Sequence, residues 1–485
     1  MVNYVLLSRI GIENTAELVI FIHNAIYAHL PFIIYRSPFT ILFFLCLFIL
    51  SGCSPPPSPT PWPTRTSIST STSASASASI STKTIVKTVA TRQPTSAATV
   101  TPALQATAIL PSATLTVWDA LPPPQAKQLG QEIQQFQAQY PTYHIVLTHY
   151  DNPDALLTNI LSGEAEFDLI LASPILLGDL LEAEQLAPMS DFFSTAFLDN
   201  FAGVTLQGAS KDKTLWGLPD TTGFHLLLFY NRALLDQPPT TMSEVLATSA
   251  EIASTSNGDK WGLGFNSYDP LWLIPWLATY NGWLVDETGQ PTLNSLAMVA
   301  ALTDYNQWHQ SVGVLPATSY DSMRIEFVNG NLALMIDGEW AVSELGRAKN
   351  LDWGVTTLPH TGDTGIQPAA PLVLSRYWTV NRTMSGNKSQ AVVSFLEHVT
   401  RPERQLVWLE SFQALPTHRT ALDSSTVLSN PIWRISRQQM LRGHGIMAGV
   451  NPNQLLGAMR TPLIQMLEGT LTPEEAAMMM QERME

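Results

Sequence analysis

Two rhythms of apolar and polar positions run through the chain from about residue 114 onward. Leu115-Thr-Val-Trp-Asp119 has a β-type pattern, and after Pro122 to Pro124 the residues Leu129, Ile133 and Phe136 recur on one face of a helix. Tyr143-His-Ile-Val-Leu-Thr148 reads as the next strand, about Pro153 to Ser162 as a helix, Phe167-Asp-Leu-Ile-Leu-Ala172 as a strand and Leu176 to Glu184 as a helix again. This β-α-β-α-β-α succession predicts a mostly parallel sheet covered on both faces, with ligand chemistry at the carboxyl ends of its strands. Lys213-Thr-Leu-Trp-Gly-Leu-Pro219 then leads into Phe224-His-Leu-Leu-Leu-Phe-Tyr-Asn231, an apolar strand able to connect one lobe to another. An aromatic-rich stretch from Trp261 to Trp283 precedes a helix around Ser295 to Val312 and another ending at Phe327-Val-Asn-Gly330. Asn331-Leu-Ala-Leu-Met-Ile336 reads as a buried strand, and Asp337-Gly-Glu-Trp340 opens the turn after it. Ser389 to Val399, Glu403 to Ser411 and Thr472 to Met484 are expected helices, and no internal repeat is visible.

The region before residue 113 follows different rules. Arg36 precedes an apolar run, Ile41 to Leu50, of the length of a signal-peptide core and too short to span a bilayer comfortably. It ends in Leu50-Ser51-Gly52-Cys53, which resembles the bacterial lipobox, so Cys53 is expected to become a lipid-modified N-terminus while Cys46 leaves with the signal peptide. Residues 1–35 make an overlong leading region, which a misassigned start codon would explain; the alternative is an uncleaved membrane hairpin. Ser54 to about Ser112 is dominated by Ser, Thr, Pro and Ala, with too few large apolar residues to offset chain entropy, and is expected to be a disordered tether. The expected organisation is a signal peptide over 1–53, a tether over 54–112 and a binding domain over 113–485.

Charge and cysteine content narrow the function. The net charge is -15, and the acidic residues lie outside the tether, so nucleic acid is excluded as a partner. Cys46 and Cys53 are the only two cysteines, leaving none to staple the main body or ligate a metal. There is no His-Glu-x-x-His pair, no Gly-x-Ser-x-Gly elbow and no phosphate loop. Gly443-His-Gly-Ile-Met-Ala448 matches a dinucleotide fingerprint only superficially, because a helical pattern, not a strand, precedes it. His144, His149 and His225 show no metal-ligand spacing and read as solvated or satisfied histidines. No metal, cofactor or catalytic residue is expected, and the chain does not read as an enzyme.

Tryptophan is the remaining signal: 13 are present, many beside turn residues or acids. Trp340 follows Asp337, Gly338 and Glu339 at a strand end, so an aromatic face and carboxylates emerge together. That pairing suits a sugar, whose C–H face packs on a ring while carboxylates accept from hydroxyls. Glu326-Phe-Val-Asn-Gly-Asn-Leu-Ala-Leu-Met-Ile-Asp-Gly-Glu-Trp340 resembles the hallmark segment of the family 1 extracellular solute-binding proteins, which include the maltose-binding type. Trp216-Gly-Leu-Pro219 with Leu228-Phe-Tyr-Asn231 is similar to that family's crossing strand, and Trp353-Gly-Val355 with Leu358-Pro359 to its next landmark. Arg376-Tyr-Trp-Thr-Val380 with Thr400-Arg-Pro-Glu403, and Met459-Arg-Thr-Pro462, extend the resemblance over about residues 114–485.

The resemblance implies an α/β, two-lobed periplasmic-binding-protein-like fold (type II), with crossover hinge strands and an inter-lobe ligand cleft. Lobe 1 would comprise about 113–218 plus 367–418, and lobe 2 about 219–366 plus 419–485. It implies a monomer that closes on a small-molecule ligand, a mono- to oligosaccharide, and delivers it to ABC permease subunits. Carried onto matching positions, the ligand-binding residues are Trp118, Asp119, Asp220, Thr221, Thr222, Tyr268, Trp272, Glu339, Trp340, Ser375, Arg376 and Tyr377, while Trp276 and Trp283 are expected in the core. Asn451-Pro-Asn-Gln-Leu-Leu456 stands where the maltose-binding type has an aromatic cluster, so one stacking surface of that type is missing. Alternatives are the same scaffold binding a polyamine or glycerol-phosphate ester, with Arg376 meeting the phosphate, or a secreted hydrolase or ligand-sensing domain.

Overall fold

The computed structural model describes residues 112–163, 166–316, 319–361 and 367–485. The expected signal peptide, Cys53 and the tether as far as residue 111 lie outside the described residues. The domain opens with β1 (Ala113–Asp119), α1 (Pro123–Gln139), β2 (Tyr143–His149), α2 (Pro153–Ser162), β3 (Leu169–Ala172) and α3 (Pro174–Glu182), the alternation expected from the pattern. Prolines at the start of α1 cost no hydrogen bond, because first-turn N–H groups have no intrahelical partner, and Leu129, Ile133 and Phe136 are buried on its inner face. Asn152 caps α2, and Gly163 at φ 68° ends it in the left-handed conformation that glycine adopts freely.

The chain then forms a small ribbon, β4 (Ser210–Lys211) with β5 (Thr214–Leu215), and runs through β6 (Leu218–Gly223) and β7 (Leu226–Asn231). With the helices of nine residues or more numbered in order, there follow α4 (Met242–Thr255), β8 (Trp261–Phe265), α5 (Leu296–His309), α6 (Tyr320–Val328), β9 (Leu332–Gly338) and β10 (Trp353–Thr356). The last third holds β11 (Leu374–Val380), α7 (Asn387–Val399), α8 (Pro402–Phe412), β12 (Leu415–Pro416), α9 (Pro431–Met440), α10 (Pro452–Leu467) and α11 (Pro473–Glu482).

These strands make two main sheets, one to each lobe: six strands in the order β12-β6-β11-β3-β1-β2, and four in the order β10-β7-β9-β8. Strand alternation divides each core. In the large sheet Leu115, Val117, Leu171 and Trp378 pack with α1 and α7, while Trp118, Ile170 and Tyr377 pack on the opposite face with α2 and α3. In the small sheet Leu226, Leu228, Leu334 and Ile336 face Trp276 and Leu302, whereas Leu227, Phe229 and Met335 face Phe327 and Leu345.

Topology places the site. β1 runs parallel to β2 and β3, so Asp119, His149 and Ala172 end on one edge. β11 starts at that edge, with Tyr377 opposite Ala172, and β6 finishes there, with Gly223 opposite Leu374. The chain crosses at Phe224 and His225, and β7 begins with Leu226 opposite Gly338, the last residue of β9. β8 is parallel to β9 and ends at Phe265 beside it. The carboxyl ends of both sheets therefore meet at the crossover and form the cleft between lobes.

Two local expectations change. Phe224 and His225, read as the start of the apolar strand, form the crossover itself, with Phe224 at φ 66°. Asp220, Thr221 and Thr222, which the sequence leaves between Pro219 and the apolar strand, sit inside β6 between β11 and β12. A polar triplet persists there because each side chain finds a partner, described below.

Candidate functional site

On the lobe 2 side, β9 is an apolar strand buried on both faces, and its end delivers Trp340 to the rim. The indole folds back over Gly338: a Cβ there would lie 2.2 Å from the ring, so only glycine fits beneath it. Trp340 is half-buried. Its ring centroid lies 5.4 Å from that of the exposed Phe224 and 6.4 Å, edge-on, from that of the buried Trp272. Its Nε1 donates to the Tyr320 hydroxyl at 2.7 Å, and that hydroxyl sits 2.9 and 3.1 Å from the two Asp337 oxygens. Burial pushes Asp337 up to about 6 against the pull of the Gly338 N–H, the Tyr320 hydroxyl and Arg324. Arg324 lies 3.5 Å from Asp337, pairs with Glu344 and stands over the Tyr320 ring at 5.3 Å. With its N–H occupied and its orientation held, Trp340 presents a ring face and no free donor.

Glu339, beside it, turns away from the open rim. Its carboxylate accepts the backbone N–H groups of Phe224 at 2.7 Å and His225 at 3.0 Å, tying β9 to the crossover. Gly223 allows this approach, since a Cβ there would sit 2.4 Å from Glu339 Oε1. His225 is fully buried, with Nε2 2.8 Å from Ser436 Oγ on α9, so the crossover is braced from two elements.

The lobe 1 rim holds a second network. Arg376 donates from Nε to Thr221 Oγ1 at 3.1 Å, from Nη1 to Gln125 Oε1 at 2.6 Å and from Nη2 to Asp220 Oδ2 at 2.9 Å. Its guanidinium stands 4.6 Å from the Trp408 ring centroid. Asp220 also receives the Trp378 indole N–H at 3.3 Å. Burial pushes Asp220 upward, while Arg376 and the Trp378 N–H pull it down. Trp408 in turn donates to Glu132 at 2.9 Å, a carboxyl that burial pushes up to about 7.

The expected site residues thus fall into groups. Asp220, Thr221 and Arg376 share one network, and Thr222 Oγ1 donates to the Leu374 carbonyl at 3.3 Å beside the buried Ser375. Trp272, Glu339 and Trp340 gather at the crossover. Asp119 pairs with His149 on the outer part of the lobe 1 rim. Trp118 is buried against Tyr150 and Phe167, and Tyr377 is buried with its hydroxyl donating to the Thr205 carbonyl at 3.1 Å. Tyr268 lies apart, half-buried beside His309 at a small cavity of about 80 Å³.

Trp276 is buried as expected, but Trp283 is not core: it is half-buried and lines a groove of about 880 Å³ with Lys211, Asp286, His444 and Met447. The residue that sequence reasoning missed is Phe224. Flanked by Gly223 and an apolar run, it looks like a strand residue, and only the change of sheet exposes it. Among the described residues no group of three His, Cys, Asp or Glu could hold a metal ion, and no helix is long and apolar enough to cross a membrane.

Comparisons with known proteins agree with this architecture. The profile of the family described as "Bacterial extracellular solute-binding protein" matches residues 131–434, more than half of the chain. A maltotriose-binding protein of Pyrococcus abyssi is 23% identical over 254 residues, covering 51% of this chain and 54% of the relative, so the chain spans about half the length of that protein. The sn-glycerol-3-phosphate-binding periplasmic protein of Escherichia coli K12 is 22% identical over 344 residues, 64% of this chain and 75% of the relative. Among solved structures, the maltose/maltodextrin-binding domain of Bdellovibrio bacteriovorus bound to maltotriose has a TM-score of 0.59 at 22% identity, covering 77% of this chain and 98% of its own. A cyclo/maltodextrin-binding protein complexed with maltotetraose has a TM-score of 0.66 at 19% identity, covering 76% of this chain and 96% of its own. At such identities the structures share the fold, a type II binding-protein scaffold. The two-lobed architecture and the profile match place the chain, as an extracytoplasmic binding protein and not an enzyme, in the bacterial extracellular solute-binding protein family.

Proposed function

We propose that this chain is the solute-capturing subunit of an ATP-driven importer and that its cargo is a carbohydrate. The observation that supports the reading best is the pair of Phe224 and Trp340 at the crossover, one ring exposed and the other offering a face with its N–H already bonded. Sugars are recognised through such faces. The protein acts as a monomer whose two lobes close about the crossover, with the closed form engaging the membrane permease. Relatives that bind sn-glycerol 3-phosphate favour a second reading, a phosphate ester. Arg376, the natural phosphate partner, has all three of its guanidinium nitrogens hydrogen-bonded, and this weighs toward the sugar.

Titration calorimetry with maltotriose and with sn-glycerol 3-phosphate tests the choice, and Phe224→Ala tests the surface. Loss of a stacked ring removes about 0.5–1.5 kcal/mol beyond area burial, and the lost burial adds about 25 cal/mol for each Å² of apolar surface. Maltotriose should therefore bind about tenfold more weakly. Stability should change little, because Phe224 is exposed and alanine keeps the same backbone demand. Unchanged affinity in the variant would remove the aromatic pair from the site.

The chain is held at the membrane surface by lipid on Cys53, with the segment over 54–112 as tether. Supporting this are the lipobox-like Leu50 to Cys53 and the Ser/Thr/Pro-rich composition after it. Cys53→Ala should eliminate incorporation of labelled fatty acid and shift the protein from the membrane to the soluble fraction. A variant that stayed wholly with membranes and kept its first residues would favour the membrane hairpin instead.

A further inference from the structure

Asp119 and His149 end adjacent parallel strands, and their side chains meet on the outer part of the lobe 1 rim. His149 Nδ1 lies 2.8 Å from Asp119 Oδ1, an oxygen that also accepts the Leu121 N–H at 3.0 Å. Asp119 is completely buried, and its Oδ2 has no hydrogen-bond partner. The charge on this carboxylate therefore leans on the imidazole. Because a carboxylate only accepts, the neutral ring carries its proton on Nδ1 and leaves a lone pair on Nε2. His149 is 35% exposed, and among the described residues Nε2 makes no hydrogen bond. A buried carboxylate that fixes one ring nitrogen so that the other faces outward is how proteins orient a histidine for a ligand.

The place of His149 in the sheet adds a length. β2 is the edge strand, and in the order β6-β11-β3-β1-β2 it stands four strands away from β6, which runs into the crossover at Phe224. At about 4.8 Å between neighbouring strands this is about 19 Å, farther than a single pyranose ring reaches. Asp119 and His149 lie on the same face of the sheet as Val117 and Leu147, under the start of α1, where Gln125 meets Arg376.

We propose that His149 is a ligand-contacting residue at the outer end of the cleft, its Nε2 accepting a hydroxyl of an oligosaccharide whose other end lies against Phe224 and Trp340. The inference rests on the carbohydrate reading and deepens it: the site selects by chain length, and Asp119 is the positioning residue that sets the tautomer.

The test titrates maltose, maltotriose and maltotetraose into the wild-type chain, His149→Phe and His149→Gln. His149→Phe should weaken the longest ligand about five- to tenfold, the effect of one lost hydrogen bond, and leave maltose within about twofold. His149→Gln should recover part of the loss, since its amide oxygen can accept in place of Nε2. Nitrogen-15 spectra of the histidine-labelled wild type should show Nδ1 protonated before ligand is added, with Nε2 shifting for the longer sugars only. This readout does not depend on any variant folding. Equal weakening of all three sugars, or a proton on Nε2 in the free protein, overturns the proposal, as does an unmoved Nε2 with unchanged affinities. If none of the three sugars binds the wild type, the carbohydrate reading itself fails and takes this inference with it.

Discussion

Replacing Arg376 by Met should destabilise the protein by about 3–5 kcal/mol at neutral pH, the cost of leaving a buried charge without its partner. Asp220 is almost completely inaccessible, and its Oδ2 accepts from Arg376 Nη2 at 2.9 Å and, over a longer 3.4 Å, from the neutral Thr221 hydroxyl. The Trp378 indole at 3.3 Å is a longer and neutral bond, unable to replace a cation. Met would keep much of the packing against Trp408 while removing the bonds to Thr221 and Gln125. The sign with pH follows from the direction of the Asp220 shift. Burial already raises this carboxyl, and losing Arg376 raises it further, so Asp220 in the variant takes up a proton more readily. The penalty is then largest at pH 8 and shrinks as pH falls and the protonated form takes over. Urea unfolding of wild type, Arg376→Met, Asp220→Asn and the double variant measures it, and the double variant should be clearly more stable than Arg376→Met alone. A variant as stable as wild type that loses affinity for ligand would instead make Arg376 a ligand contact with an incidental ion pair.

That network also shows where the sequence could and could not be read. The alternation from Ala113 to Glu182 was legible because each element carries its own period, as with Leu129, Ile133 and Phe136 on α1 or the unbroken apolar run of β9. The turn bearing Trp340 was legible only to within two residues: the polar Asp337 suggests that the strand ends at Ile336, but β9 runs on to Gly338, because the buried Asp337 carboxyl finds the Tyr320 hydroxyl. Asp220-Thr-Thr222 was not legible. Three polar residues in succession look like a turn until partners 152 to 156 residues away supply Leu374 and Arg376, and local pattern carries no trace of such pairing. Phe224 was hidden for the opposite reason: its neighbours are apolar, and only the change of sheet at φ 66° turns its ring outward. His149 looked like an ordinary histidine because Asp119, 30 residues earlier, becomes its neighbour only when β1 and β2 pair. Trp283 shows the reverse limit, since an aromatic near a buried helix reads as core whether or not a groove opens beside it.

Glu339→Gln should change how stability depends on pH, by about 3 kcal/mol across the range from 4.5 to above 7. Two effects oppose each other at this carboxyl. The N–H groups of Phe224 and His225 favour the ionised form, while burial disfavours it, with the nearby Asp337 charge acting in the same sense as burial. Burial wins, and Glu339 is pushed up to about 7 from an ordinary value of 4.5. His225, 3.9 Å away at Nδ1, offers no compensating charge, because its own burial pushes it down to about 4 and keeps it neutral. The unfolded chain therefore releases this proton near 4.5 and the folded chain holds it until about 7. Between those values the unfolded state gains by ionising and the folded state does not. The contribution of Glu339 to stability is thus fully present below 4.5, declines as pH rises and is lost above 7. Glutamine cannot ionise, so the difference between the two unfolding free energies carries the titration of Glu339 together with its coupling to the neighbouring Asp337. Wild type should lose ground steadily against Glu339→Gln as pH is raised from 4.5 to 8. The same measurement bears on the crossover, because this carboxylate joins β9 to it, and gaining its charge strengthens the two hydrogen bonds that hold the connection between the lobes. Parallel stability curves for the two proteins over that range would show that Glu339 titrates in the folded protein as it does in the unfolded chain, and that water reaches it at the crossover.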